Sequence, residues 1–204
     1  VIPEPIYSER QYQTEILQPM YRDIAAFDPE GILQYEWLNS RGAIARFDRN
    51  TMEIRVLDIQ ETAFADLAIA QAVTAVVHAL VNEAHENMAR LNSWETAALA
   101  ELYTQNVTDA DLSVINNRKY LQSLGFKGAY RCQTQELWQF LIESHVNRTS
   151  IDPKEDQFYK VYFANGSLAR RLVSRLGNEP RKAQLKAAYH ELSQNAVNGQ
   201  VFVP

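Results

Sequence analysis

The stretch from Arg41 to Leu91 constrains this chain more than any other, because two opposite hydrophobic periods meet within it. Ala43 to Phe47 and Met52 to Ile59 are short β-branched and aromatic runs separated by Asp48-Arg49-Asn50-Thr51, which predicts an antiparallel hairpin with a four-residue loop. With Phe47 opposite Met52, Arg46 faces Glu53 and Ile44 faces Arg55. Side chains alternate across a strand, so Met52, Ile54 and Val56 form an oily face. Arg46, Glu53 and Arg55 then share the charged one.

A helix is predicted from about Thr62 to Leu91. Between Ala63 and Val81 only Asp66, Gln71, Thr74 and His78 are polar, which predicts burial on most sides and makes this helix the expected cover of the oily face. Asp58 is placed to orient Arg55 or to cap the helix, and capping is the favoured reading. Glu53 and Arg55 lie two residues apart, roughly 7 Å along a strand. That is the scale on which a metal and a phosphate are gripped together. The competing reading of Arg46, Glu53 and Arg55 is a cross-strand ion pair on an exposed sheet face, worth about 0–1 kcal/mol.

The segment ARFDRNTMEIRVLDIQETAFADLAIAQAVTAVV resembles the late part of the glutamate-cysteine ligase type 2 group, carboxylate-amine ligases related to glutamine synthetase. The likeness is strongest over residues 39–81 and reaches back loosely to IPEPIY. It implies that a strand with a Glu-x-Arg core and a small-residue-rich helix wall an ATP-dependent active site. Carried over by residue, Glu53 is implied to ligate Mg2+ and Arg55 to neutralise the transferred γ-phosphate. Arg46, and Arg41 before it, are implied to hold nucleotide phosphates. The implied cofactors are ATP and Mg2+, and the implied product is a γ-glutamyl amide of cysteine or another amine, as in glutathione biosynthesis. The implied fold is α+β and predominantly helical, with a small antiparallel sheet that forms part of a glutamine synthetase-like sheet and is packed by the long helix. Residues 1–91 would be the late part of the catalytic domain and 92–204 a helical region packed on it.

Because the family's other metal-binding acids lie in earlier strands, the resemblance makes this chain the C-terminal part of a longer enzyme, inactive alone. Its partners would be small-molecule substrates and the N-terminal remainder of that enzyme, with a homo-oligomer as a further option. A non-catalytic helical interaction module and an inactive ligase homologue are the alternatives.

Charge and composition narrow the classes. A formal net charge of −5 argues against a nucleic-acid or anionic-membrane surface, both of which need a basic field. The basic cluster from Arg170 to Lys186 reads as a solvated helix face. No uncharged apolar run approaches the roughly 20 residues of a membrane span. The single cysteine, Cys132, fits a reducing, cytoplasmic setting. No Gly-rich phosphate loop, zinc spacing or Ser/His/Asp set occurs.

Elsewhere Ser8 and Gln11 form a capping-box pattern at a first helix that Pro19 should kink near Leu17. Ile32 to Leu38, with Tyr35 and Trp37, reads as a further strand. Past Leu91 helices are predicted at 93–107, 108–124, 134–146, 153–165, 167–177 and 180–196, with Gly125, Gly166 and Gly177 as stops. Trp138, Phe158, Tyr159, Tyr162 and Phe163 read as core.

Overall fold

The computed structural model describes residues 2–34, 37–128, 130–147, 149 and 151–204, and only the backbone at 84–88, 90 and 91. The fold is α+β and predominantly helical, with small antiparallel sheets. The chain divides into two compact units, one of residues 1–58 with 94–103 and the other of 59–93 with 104–204. The boundary expected at Leu91 is therefore displaced. The long helix belongs to the second unit, because its buried face packs there.

In the first unit, α1 (Glu9–Tyr12) is capped by Ser8, whose Oγ accepts from Gln11 N at 3.1 Å. A π-helical stretch, Gln13–Leu17, joins it to α2 (Gln18–Ile24). Pro19 has no N–H to donate, so the wider turn sits where the kink was expected.

β1 (Ala43–Arg46) and β2 (Thr51–Ile54) pair antiparallel, with Arg46 opposite Thr51 and Ile44 opposite Glu53. The expected partners were Glu53 and Arg55. The loop is four residues as expected but begins one position earlier, because Phe47–Arg49 form a 3-10 turn closed by Asn50 at φ 50°. Displacing the loop by one residue shifts the pairing by two, and a two-residue shift leaves every side chain on its original face.

The oily face is not covered as expected. Met52 and Val56 are 60% and 51% exposed, and the packed partner of the hairpin is the N-terminal helical segment, where Tyr12, Ile16 and Leu17 meet Ala45 and Phe47. Tyr12 and Phe47 meet edge to face, with centroids 5.4 Å apart. Of the strand expected at 32–38, residues 32–34, 37 and 38 are not paired as strand, and Tyr35 lies outside the described residues.

The second unit is built on α3 (Ala63–Leu91). Thr62 caps it, its Oγ1 accepting from Ala65 N. Ala65, Ala68 and Ala72 recur at helical spacing and are buried. Their small side chains admit the bulky ones of α6 (Thr134–His145) and α7 (Pro153–Asn165), notably Ile142, Phe158 and Tyr159. Tyr159 also donates its hydroxyl to Ala68 O at 2.6 Å. The opposite side of α3 is open, with Leu67 55% exposed, so one face is buried and not most. By length and composition, Ala63–Glu83 passes as a membrane span, at mean hydropathy 1.8. Its alanine stripe packs as the core helix of a globular unit does.

Between α3 and α6 lie α4 (Thr96–Asp109), a 3-10 turn at Ala110–Leu112, β3 (Val114–Ile115) and α5 (Arg118–Ser123). The single helix expected at 108–124 is thus broken. β3 pairs with β4 (Cys132–Gln133), and Asn117 caps α5 by accepting from Tyr120 N. α8 (Leu168–Leu176) and α9 (Lys182–Asn198) complete the chain, and Val201 and Phe202 are buried.

Candidate functional site

The hairpin brings the four expected site residues into one bonded series. Glu53 stands at the centre. Its Oε2 accepts from Arg46 Nη1 and its Oε1 from Arg55 Nε, each at 2.7 Å. Arg46 pairs with Thr51 across the ladder, yet it reaches Glu53 along the diagonal, a distance that long side chains span. Glu53 and Arg55 therefore point to the same side, as their spacing predicts.

The series continues in both directions. Arg46 Nε donates to Asp48 Oδ1 at 3.3 Å, and Arg49 lies 3.4 Å from the other oxygen of Asp48. At the other end Arg55 Nη1 donates to Asn39 O at 2.5 Å. Buried Asn39 donates to Tyr12 Oη at 2.6 Å and accepts from Arg41 Nη1 at 3.3 Å. Arg41 closes the series by gripping Glu4 through both fork nitrogens, at 2.6 and 2.5 Å. Tyr12 and Asn39 thereby tie the charged series to the core beneath it.

Guanidinium bonds from Arg46 and then Arg55 hold the Glu53 carboxyl below the usual carboxylate range. Arg46 does the same to Asp48, and Arg41 to Glu4. All three acids are ionised at neutral pH. Each of the arginines offers charge-assisted donors in the planar geometry that fits phosphate or carboxylate.

Mg2+ takes six oxygen ligands in near-octahedral array. Glu53 supplies one carboxylate, both of its oxygens are engaged by arginine, and no group of three metal-binding side chains occurs among the described residues. These residues do not make a Mg2+ site by themselves.

Beside β1 lies a cleft of about 600 Å3, open to solvent. Ile6, Tyr12, Phe47 and Met52 give it apolar walls, and Glu9 and Arg46 lie along it. No motif marked this cleft, because its walls come from the N-terminal segment and both strands. Cys132 is buried, and burial, followed by the nearby Glu136 charge, raises its thiol pKa, which leaves it a poor nucleophile.

A second polar group went unread in the sequence. Arg171, within the basic cluster expected to be a solvated face, is fully buried and bonds Glu61 Oε1 at 2.5 Å and Oε2 at 3.3 Å. Its other acceptors are Phe202 O at 2.6 Å and Gly166 O at 3.1 Å. Partners 110 residues apart leave no local signature.

No family model matches the chain, and no solved structure matches it. Over 83 residues it is 39% identical to an uncharacterized protein of Archaeoglobus fulgidus. That match covers 41% of this chain and 22% of the relative. The chain thus spans a small part of the relative's length.

Proposed function

We propose that this chain is part of an ATP-dependent carboxylate-amine ligase that forms a γ-glutamyl amide from glutamate and cysteine or another amine. The observation that carries the reading is the Glu53 carboxylate held between two guanidinium groups on one strand face, at 2.7 Å each. The resemblance of residues 39–81 to glutamate-cysteine ligase type 2 supplies the reaction class. A reducing, cytoplasmic setting belongs to the same proposal.

Joining a carboxylate to an amine requires a leaving group on the acid. The γ-carboxylate oxygen attacks the terminal phosphorus of ATP, an O–P bond forms, the bond to the β-phosphate oxygen breaks, and ADP departs. The amine then attacks the acyl carbon, the C–N bond forms, phosphate leaves with the C–O electron pair, and the nitrogen gives up a proton. In both steps negative charge gathers on phosphoryl oxygens, where aimed guanidinium groups lower the barrier. Arg55 and Arg46 take this role, exchanging bonds to Glu53 for bonds to phosphate, while Glu53 aligns their forks beforehand. Arg41 is committed through both fork nitrogens to Glu4, which fits it to holding the N-terminal segment more than to binding nucleotide.

In the intact protein, Mg·ATP should bind by calorimetry, and Glu53→Ala and Arg55→Ala should each lower glutamate-dependent ADP release by about 10²-fold or more. Normal turnover in either variant ends the site assignment. This 204-residue chain alone is expected to release no ADP. The rival reading, a non-catalytic helical interaction module, draws on the fact that Arg41, Arg46 and Arg55 already have acceptors within the chain. Absence of Mg·ATP binding by the intact protein would favour it.

A further inference from the structure

We infer that the cleft beside β1 holds the amine co-substrate, and that this amine is a primary amine bearing an apolar group; the co-substrate role rests on the ligase reading. Three observations converge on that chemistry. The first is size and lining. About 600 Å3 bounded by Ile6, Tyr12, Phe47 and Met52 falls within the range of small-ligand sites, which are mostly apolar with a few placed polar groups. A cysteine side chain would leave most of it empty.

The second is the free edge of β1. Arg55 N donates to Gly42 O at 2.8 Å, and Ile44 and Arg46 lie opposite Glu53 and Thr51. In an antiparallel ladder the bonded pairs alternate, so the backbone groups of Gly42, Ile44 and Arg46 face β2 while those of Ala43 and Ala45 face outward. Both alanines line the cleft, and among the described residues their backbone groups have no partner. An ammonium carries three donors and no acceptor. The carbonyls of Ala43 and Ala45 are ready acceptors for it.

The third is charge and position. Glu9 stands at the cleft with a carboxylate that has no ion-pair partner among the described residues, whereas Glu4 nearby is occupied by Arg41. Arg46 lines the cleft and also bonds Glu53, so the amine would lie next to the arginines assigned to the phosphoryl group. The apolar walls hold the substituent and the acidic rim holds the nitrogen.

The test is calorimetric titration of this chain, without nucleotide, with 2-phenylethylamine, 2-phenylethanol and ethylamine. Saturable binding of 2-phenylethylamine is expected, with the alcohol and ethylamine each roughly tenfold weaker or undetected. Glu9→Gln, an exposed and conservative change, should weaken the amine about tenfold and leave the alcohol unaffected. Ile6→Trp should block the cleft. No saturable binding of the amine, or equal affinity in wild type and both variants, overturns the inference and leaves the ligase reading standing. Amine binding beside normal turnover of Glu53→Ala in the intact protein removes the co-substrate role and keeps the cleft as an amine site.

Discussion

Arg171→Met removes a fully buried guanidinium while roughly preserving the aliphatic stem. In the wild type that group donates to both oxygens of Glu61 and to the carbonyls of Gly166 and Phe202, and the Glu61 side chain is equally buried. After the substitution the Glu61 carboxylate retains the Phe202 N–H, at 3.2 Å in the wild type, and loses its counter-charge. Deleting one member of a buried pair costs about 3–5 kcal/mol, because the remaining charge stays desolvated without compensation. Set against a typical total stability of about 5–15 kcal/mol, that is a large fraction. Glu61→Leu alone should cost a similar amount by stranding the cation. The double variant removes both charges, and its cost should fall below the sum, with a residue of about 1–3 kcal/mol for each group left unpaired, namely the Gly166 and Phe202 carbonyls and the Phe202 N–H. Urea unfolding followed by helical circular dichroism measures all four corners of this cycle. A cost below about 1 kcal/mol for Arg171→Met, or strict additivity in the double variant, would refute the reasoning.

Acidification should loosen the hairpin network. Glu4, Asp48 and Glu53 have lowered pKa values in the folded chain, so their contribution is complete above the ordinary values of 4.5 for Glu and 3.8 for Asp, and is lost as pH falls through the lowered ones. NMR of the arginine Nε groups should show those of Arg46 and Arg55 moving only below that window, and already displaced in Glu53→Gln; resonances indifferent to both changes would contradict the assignment. Gly166→Ala should lower stability by about 1–3 kcal/mol, since φ 81° and ψ −166° suit only glycine and the new Cβ would meet Arg170 Cδ at 2.6 Å. A melting temperature equal to wild type would count against that strain. Asn39→Leu should cost about 1–3 kcal/mol by unpairing the Tyr12 hydroxyl and Arg41, as read from urea unfolding.

Local chemistry was legible in the sequence where a signal and its structural effect lie within a few residues. Ser8 caps the first helix, Gly166 and Gly177 end later ones, and α3 spans nearly the residues its periodicity implies. The charged face of the hairpin was legible for a subtler reason. Side-chain period two tolerates a loop misplaced by one residue, so Arg46, Glu53 and Arg55 share a face although Arg46 pairs with Thr51. What stayed hidden depends on distant partners. Nothing near Ala45 or Phe47 says that the N-terminal helical segment will pack on them while Met52 and Val56 stay exposed. The short β3 and β4 find each other only in the fold, and no local pattern announces that the helix expected at 108–124 gives way to the 3-10 turn at 110–112 and to β3. Arg171 reads as part of a solvated basic face for the same reason, since Glu61, its partner in the buried bond, lies 110 residues away.

That bond also has a kinetic consequence. Phe202, which closes over it, follows Glu61 by 141 residues, so on a ribosome the second unit cannot finish assembling until nearly all of this sequence has emerged. Until then Glu61 and Arg171 remain hydrated. The loop-closure cost of such a separation grows only slowly with length, but contacts between distant residues still slow folding. A nascent chain stalled before Val201 should therefore leave the Glu61–Arg171 bond open to chaperones although α6 and α7 already cover the α3 alanines.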